Sequence, residues 1–122
     1  MIQKFDHVEM NVKDVEASKK FFIEKLGFKL DSVLPGGGVF VRSGDALIGL
    51  FGAKPLGLIH VALTADDVEK TMKEVSDKGV EFRRSKPSVN SGTGRMVTDF
   101  KDPDGNSWQL AKKVKKGTAE VE

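Results

Sequence analysis

The sequence contains no cysteine and no tyrosine, and it has only two histidines, His7 and His60. The absence of cysteine excludes disulfide bonds, thiolate metal sites and cysteine nucleophiles. The absence of tyrosine removes phenolic acids and bases from any mechanism. Imidazole chemistry in this chain must therefore use His7, His60 or both.

Long hydrophobic runs and basic stripes with interleaved aromatic residues are also missing. No segment approaches the about 18–20 apolar residues of a membrane-spanning helix, and the first residues lack the apolar core of a signal peptide. The chain has 122 residues and a formal net charge of +2, with a cluster of lysines near its C-terminus. We therefore expect a cytoplasmic protein with neither nucleic acid nor a membrane as partner.

The two halves of the chain match when one is shifted by 53 residues along the other. The shift places His7-Val8 on His60-Val61 and Asp14-Val15-Glu16 on Asp67-Val68-Glu69. Such self-similarity indicates two copies of one structural unit. We predict a first module over residues 1–52, a second over residues 58–114, and a basic and acidic tail over residues 115–122.

Each module is predicted to have the order β-α-β-β-β. The opening segments alternate with a period of two, so that His7, Glu9 and Asn11 share one face of a strand. An N-cap at Asp14 predicts the first helix, and Asp66 or Asp67 begins the second. Strand-like runs then cover residues 28–34, 38–42 and 46–51 in the first module, and 80–86, 95–100 and 107–114 in the second.

Several motifs resemble the vicinal oxygen chelate superfamily, which includes glyoxalase I, methylmalonyl-CoA epimerase, extradiol dioxygenases, and the fosfomycin- and bleomycin-resistance proteins. The resemblance covers roughly residues 3–112. The motifs are Phe5-Asp6-His7-Val8, Phe21-Phe22 with Leu26-Gly27-Phe28, Ile59-His60-Val61, and Asp102-Pro103-Asp104-Gly105-Asn106 before Trp108-Gln109-Leu110. The resemblance implies an α+β fold, with two tandem modules forming a U-shaped mixed sheet around a cavity and helices on the outer face.

The resemblance also implies a divalent metal ion (Ni, Zn, Co, Mn or Fe) bound by the first and last strands of each module. The first-strand positions are His7 and His60. The last-strand position of the second module, normally glutamate, is Gln109. The corresponding position of the first module falls at Gly49, or at Ile48 if the register slips, and neither residue can bind a metal.

The departures from the family pattern remove negative charge from the site. A glutamine amide oxygen can coordinate a metal but carries no charge, so affinity should fall relative to a His-His-Glu set. Glu9, on the face of His7, is the candidate general base. Gln109 could instead be a plain polar residue in a pocket that binds no metal.

Alternation places further polar residues toward the cavity. Met96 and Phe100 should face the helix, which leaves Arg95 and Asp99 for the cavity. The predicted substrate-binding residues are Asn11, Thr64, Arg95 and Asp99.

Two functions are compatible with these residues. One is a glyoxalase-like, metal-dependent lyase or isomerase acting on a small oxygenated substrate. The other is a metal-free protein of the bleomycin-resistance type that binds or sequesters a small molecule. In either case the resemblance implies a homodimer with shared sites, with His7 from one chain and His60 with Gln109 from its partner.

Overall fold

The computed structural model describes residues 1–121, and its elements follow the predicted order. The eight strands form one mixed sheet in the order β2-β3-β4-β1-β5-β8-β7-β6. Together with two helices, this sheet confirms the α+β class and the repeated β-α-β-β-β order. None of the helices in residues 1–121 is long and apolar enough to cross a membrane. The strands are β1 (Ile2–Asn11), β2 (Lys29–Val33), β3 (Val39–Ser43), β4 (Ala46–Phe51), β5 (Gly57–Ala65), β6 (Ser88–Asn90), β7 (Arg95–Lys101) and β8 (Ser107–Lys113), and the helices are α1 (Val15–Lys20), which continues as a π-helical turn over Phe21–Lys25, and α2 (Val68–Asp77).

The chain divides into two compact units that share β1 and β5. The first-module unit contains residues 7–59 and 119–121, and the second-module unit contains residues 1–6 and 60–118. The first six residues, which the repeat assigns to the first module, thus belong to the second-module unit. His7 and His60 are the residues at which β1 and β5 pass from one unit to the other.

The first-module unit is built on a parallel pairing of β1 with β4, and β4 continues antiparallel to β3 and then β2. Val39, Val41 and Leu50 form its buried core, against which the helical segment packs. The predicted N-cap at Asp14 is confirmed, because its side chain accepts a hydrogen bond from the Ala17 amide at 3.1 Å. The C-terminal segment pairs with β2 through Ala119, whose carbonyl accepts from the Val33 amide.

The second-module unit repeats this arrangement, with β5 parallel to β8 and β8 antiparallel to β7. Its buried core combines Ala65, Val68 and Leu110, and Met96 and Phe100 pack against it as alternation along β7 predicts. Helix α2 begins at an N-cap formed by Asp67, whose carboxylate accepts from the Lys70 amide.

The predicted strand over residues 80–86 is wrong. Phe82 makes an isolated bridge to Phe100, and the short edge strand β6 begins only at Ser88. Three cationic side chains occur in the segment that follows Phe82, and Pro87, which has no amide hydrogen for a strand ladder, ends it. The Phe82 ring, whose centroid is 5.4 Å from that of Phe100, packs against the core of the second-module unit.

The turn between β7 and β8 is organised by one carboxylate. Both oxygens of Asp102 accept hydrogen bonds: Oδ1 from the amides of Asp104 and Asn106, and Oδ2 from Asn106 Nδ2 and Trp108 Nε1. These hydrogen bonds, with those from Asn106 and Trp108 the largest contributors, lower the pKa of Asp102 to about 2. The turn motif therefore has a structural role.

We expect Asp102→Asn to destabilise the protein at neutral pH, because an amide cannot accept on both sides and would present its NH2 group to two donors. A lowered pKa in the folded state stabilises the protein above 3.8, and this contribution disappears as the pH falls through about 2. The difference in free energy of unfolding between wild type and Asp102→Asn should therefore become smaller as the pH is lowered from 3.8 to about 2. The free energy of unfolding is measured by urea unfolding, followed through the fluorescence of Trp108, the single tryptophan. Asp104→Asn in the same turn is the control, and an equal loss there would contradict the argument.

Candidate metal centre

In the first-module unit, β1 places a histidine beside a carboxylate. His7 is buried, at 4% exposed, and its Nε2 lies 2.8 Å from Oε2 of Glu9. The two side chains share a face of β1, as alternation predicts. When the Glu9 carboxylate is ionised it can only accept this hydrogen bond, so His7 donates from Nε2, and that proton must leave if Nε2 is to bind a metal.

The register of β4 identifies the residue of the first module that stands at the last-strand ligand position. Gly49 pairs with Glu9, whereas Ile48 pairs with Val8 and packs against the core. Gly49 is therefore the residue on the face of His7 and Glu9. It provides no ligand atom, as expected from the sequence.

In the second-module unit, Gln109 lies beside a second carboxylate. Gln109 on β8 pairs with Ala62 on β5, which shares the face of His60, and with Asp99 on β7. The amide is buried, and its Nε2 donates to Asp99 Oδ1 at 3.0 Å. Since the carboxylate only accepts, this bond directs the NH2 group of Gln109 toward Asp99 and leaves the amide oxygen as its possible metal ligand.

His7 and Glu9 on β1 and His60 on β5 form a group of residues that could hold a metal ion. His7, Glu9 and His60 each offer one ligand atom, and these atoms lie within 4.8 Å of one another. Two imidazole nitrogens and a carboxylate oxygen suit Zn, Ni, Co, Mn or Fe, and the carboxylate partly neutralises a dication.

The sequence predicted Glu9 as the candidate general base, and the structure places its carboxylate among the three groups that could hold a metal ion. The alternation of β1 already placed Glu9 on the face of His7. What the sequence did not show is that the side chain reaches back along the strand to the imidazole. The proposed role of Gln109 as a ligand stays a prediction.

The other predicted cavity residues contact the protein. The Asn11 amide donates to the Pro55 carbonyl at 3.0 Å. The Thr64 hydroxyl donates to the Lys4 carbonyl and accepts from the Lys4 amide. These backbone partners favour structural roles for both side chains, and their substrate-binding roles stay predictions.

Arg95 forms a long-range ion pair. Its Nε donates to Asp6 Oδ2 at 2.7 Å, and both side chains are nearly buried, at 10% and 12% exposed. Because an unpaired buried charge is costly, Asp6 is the natural counterion for Arg95. This pair joins β1 to β7 within the second-module unit, and no local pattern in the sequence predicted it.

These features are those of a protein with two β-α-β-β-β modules that carry candidate metal ligands on their first strands. The chain belongs to the Glyoxalase/Bleomycin resistance protein/Dioxygenase superfamily, whose family model matches residues 4–110. The match confirms the resemblance drawn from the motifs.

Proteins of similar sequence or fold match almost the whole chain. YwkD of Bacillus subtilis, described as uncharacterized, is 28% identical over 130 residues, covering 85% of this chain and 92% of that protein. The hypothetical protein BH1468 of Bacillus halodurans has a TM-score of 0.76 at 22% identity, covering 97% of this chain and 98% of that one. Methylmalonyl-CoA epimerase from Mycobacterium tuberculosis has a TM-score of 0.79 at 14% identity, covering 93% and 90% of the two chains. At these identities the solved structures show a common fold.

Gln109→Glu should destabilise the metal-free protein, because it places a second carboxylate beside Asp99 in a buried position. The loss should be about 1–3 kcal/mol, as for an uncompensated buried polar group. Adding Asp99→Asn restores a donor opposite the new carboxylate and should recover stability. The double variant should also bind Ni²⁺ more tightly than wild type, since it gains an anionic ligand.

Thermal unfolding without metal and calorimetric titration with Ni²⁺ test this pair of substitutions. Asp99→Asn alone is the matched control. A Gln109→Glu protein as stable as wild type, without metal, would refute the assigned contact between Gln109 and Asp99.

Proposed function

We propose that the protein is a metal-dependent isomerase or lyase that moves a proton next to a carbonyl group of a small oxygenated substrate. The grouping of His7, Glu9 and His60, with ligand atoms within 4.8 Å, carries this proposal. Superfamily membership supports it. A further support is that the proteins of similar fold include a variant of Streptomyces coelicolor methylmalonyl-CoA epimerase in complex with 2-nitronate-propionyl-CoA, with a TM-score of 0.76 at 19% identity over 94% of this chain and 100% of that one.

His7 and His60 would hold the ion through nitrogen atoms, and Gln109 would add its amide oxygen from the adjoining strand. When bound, a divalent ion supplies Lewis-acid polarisation of a substrate carbonyl, which makes the neighbouring C–H more acidic. Asp99 would orient Gln109 through the bond to its NH2 group.

Glu9 would both complete the ligand set and accept the substrate proton. Its carboxylate is the anionic member of the group, and it is 18% exposed, in contrast to the 3% of the His7 side chain. A carboxylate at the rim of the centre can reach a proton on a bound substrate and return it to the same or a neighbouring atom. Isomerisation follows if Glu9 returns the proton to the neighbouring atom instead of the carbon from which it was taken. We further propose a homodimer located in the cytoplasm.

Metal binding is the first test of this function. Calorimetric titration with Ni²⁺ or Zn²⁺ should show one site in the wild type. His7→Ala and His60→Ala should abolish binding, because each removes a nitrogen ligand, and Glu9→Gln should weaken it by about tenfold or more. Glu74→Gln, an exposed substitution on α2, should bind like wild type. If the wild type binds no metal, the proposal of a metal-dependent enzyme is contradicted, and the alternative of a metal-free protein that binds a small molecule is favoured.

Proton transfer is the second test. Metal-loaded protein in D2O should exchange the acidic C–H of a carbonyl substrate, for which methylmalonyl-CoA is a suitable first probe. Glu9→Gln, assayed at saturating metal, should lose about 10²–10⁴-fold in exchange rate because it cannot accept a proton. Exchange that survives in Glu9→Gln would exclude Glu9 as the base. Glu74→Gln again serves as the control.

A further inference from the structure

The side chain of Glu9 lies directly against a glycine. Glu9 pairs in register with Gly49 on β4. A Cβ atom on Gly49 would lie 3.0 Å from Glu9 Cγ, and 2.8 and 2.9 Å from Cε1 and Cζ of Phe40. The last-strand ligand position of the first module is thus occupied by the stem of Glu9 and the ring of Phe40.

Phe40 has little room to move away. It is buried at 3% exposed, and its ring makes edge contacts with His7 at 5.5 Å and Phe51 at 6.1 Å between ring centroids. Phe51 itself lies over Gly38, where a Cβ would meet the ring at 2.6 Å. Close packing of this kind transmits a displacement at one residue to its neighbours, so an atom added at Gly49 must displace Glu9, Phe40 or both.

We propose that Gly49 and Phe40 are positioning residues that hold the Glu9 carboxylate against His7, so that β1 provides both the nitrogen and the oxygen donor of the first module. Glycine at position 49 gives the Glu9 stem its space on β4, and Phe40 closes that space from the side. The carboxylate that β4 does not supply is thereby supplied by the strand beside it. The effect of this positioning on metal binding rests on the proposed function, whereas the contact between His7 and Glu9 is observed without metal.

Gly49→Ala is the direct test, with a readout in the metal-free protein and another in the cobalt-loaded protein. In metal-free protein, the ¹⁵N resonances of the His7 ring should move in the same direction as in Glu9→Gln. In titrations with Co²⁺, affinity should fall about tenfold or more, and the visible absorption of the bound ion should change because its ligand set changes. A purely structural role of Gly49 would lower stability without moving either spectrum.

Rescue and control variants complete the experiment. Phe40→Leu removes the ring that crowds the new methyl group, so Gly49→Ala combined with Phe40→Leu should recover most of the cobalt affinity. Phe40→Leu alone should loosen Glu9 and produce a smaller change of the same kind, which keeps the proposal testable if Gly49→Ala does not fold. Gly36→Ala, where a Cβ would contact nothing within 4 Å, should behave like wild type.

The outcomes separate this inference from the proposed function. Unchanged His7 resonances in folded Gly49→Ala, or in Phe40→Leu alone, would overturn the positioning role even if the wild type binds Co²⁺. Moved His7 resonances in a protein whose wild type takes up no Co²⁺ would support the positioning role and refute the metal-dependent function.

Discussion

The shared use of β1 is the constraint on which the candidate site depends. The first part of this strand is held in the second-module unit, where Lys4 bonds to Thr64 and Asp6 pairs with Arg95. From His7 onward, the same strand pairs in parallel with β4. A slip of one residue in either part would turn His7 and Glu9 to the opposite face of the sheet. The register therefore determines whether the two donors point into the site at all.

Each unit lacks a carboxylate at the ligand position of its last strand, and each has an acid directly opposite that position. In the first-module unit the position is Gly49, and Glu9 lies across from it. In the second-module unit the position is Gln109, and Asp99 lies across from it. Antiparallel pairing in register brings Asp99 and Gln109 about 4.5–5.5 Å apart at Cβ, and a Cβ on Gly49 would lie 3.0 Å from Glu9 Cγ. In both units the carboxylate therefore lies on the strand next to the last strand, directly opposite the predicted ligand position.

The carboxylates of Asp102, Asp6 and Glu9 differ in role because their hydrogen-bonding partners differ. Asp102 accepts hydrogen bonds from residues two to six positions ahead and so organises a turn. Asp6 neutralises a nearly buried guanidinium from β7. Glu9 has an imidazole as its partner, and its side chain keeps partial access to solvent, at 18% exposed.

The sequence by itself determined the features that depend on neighbouring residues: the repeat, the N-cap at Asp14, the start of the second helix at Asp66 or Asp67, the turn at Asp102, and the common face of His7 and Glu9. Capping, turn formation and alternation act over a few residues, so their patterns can be recognised directly. Only the tertiary structure decided which side chains meet across strands. The contact of Glu9 with Gly49 and the pairing of Arg95 with Asp6 depend on strand order and register between distant segments, which composition and periodicity do not encode.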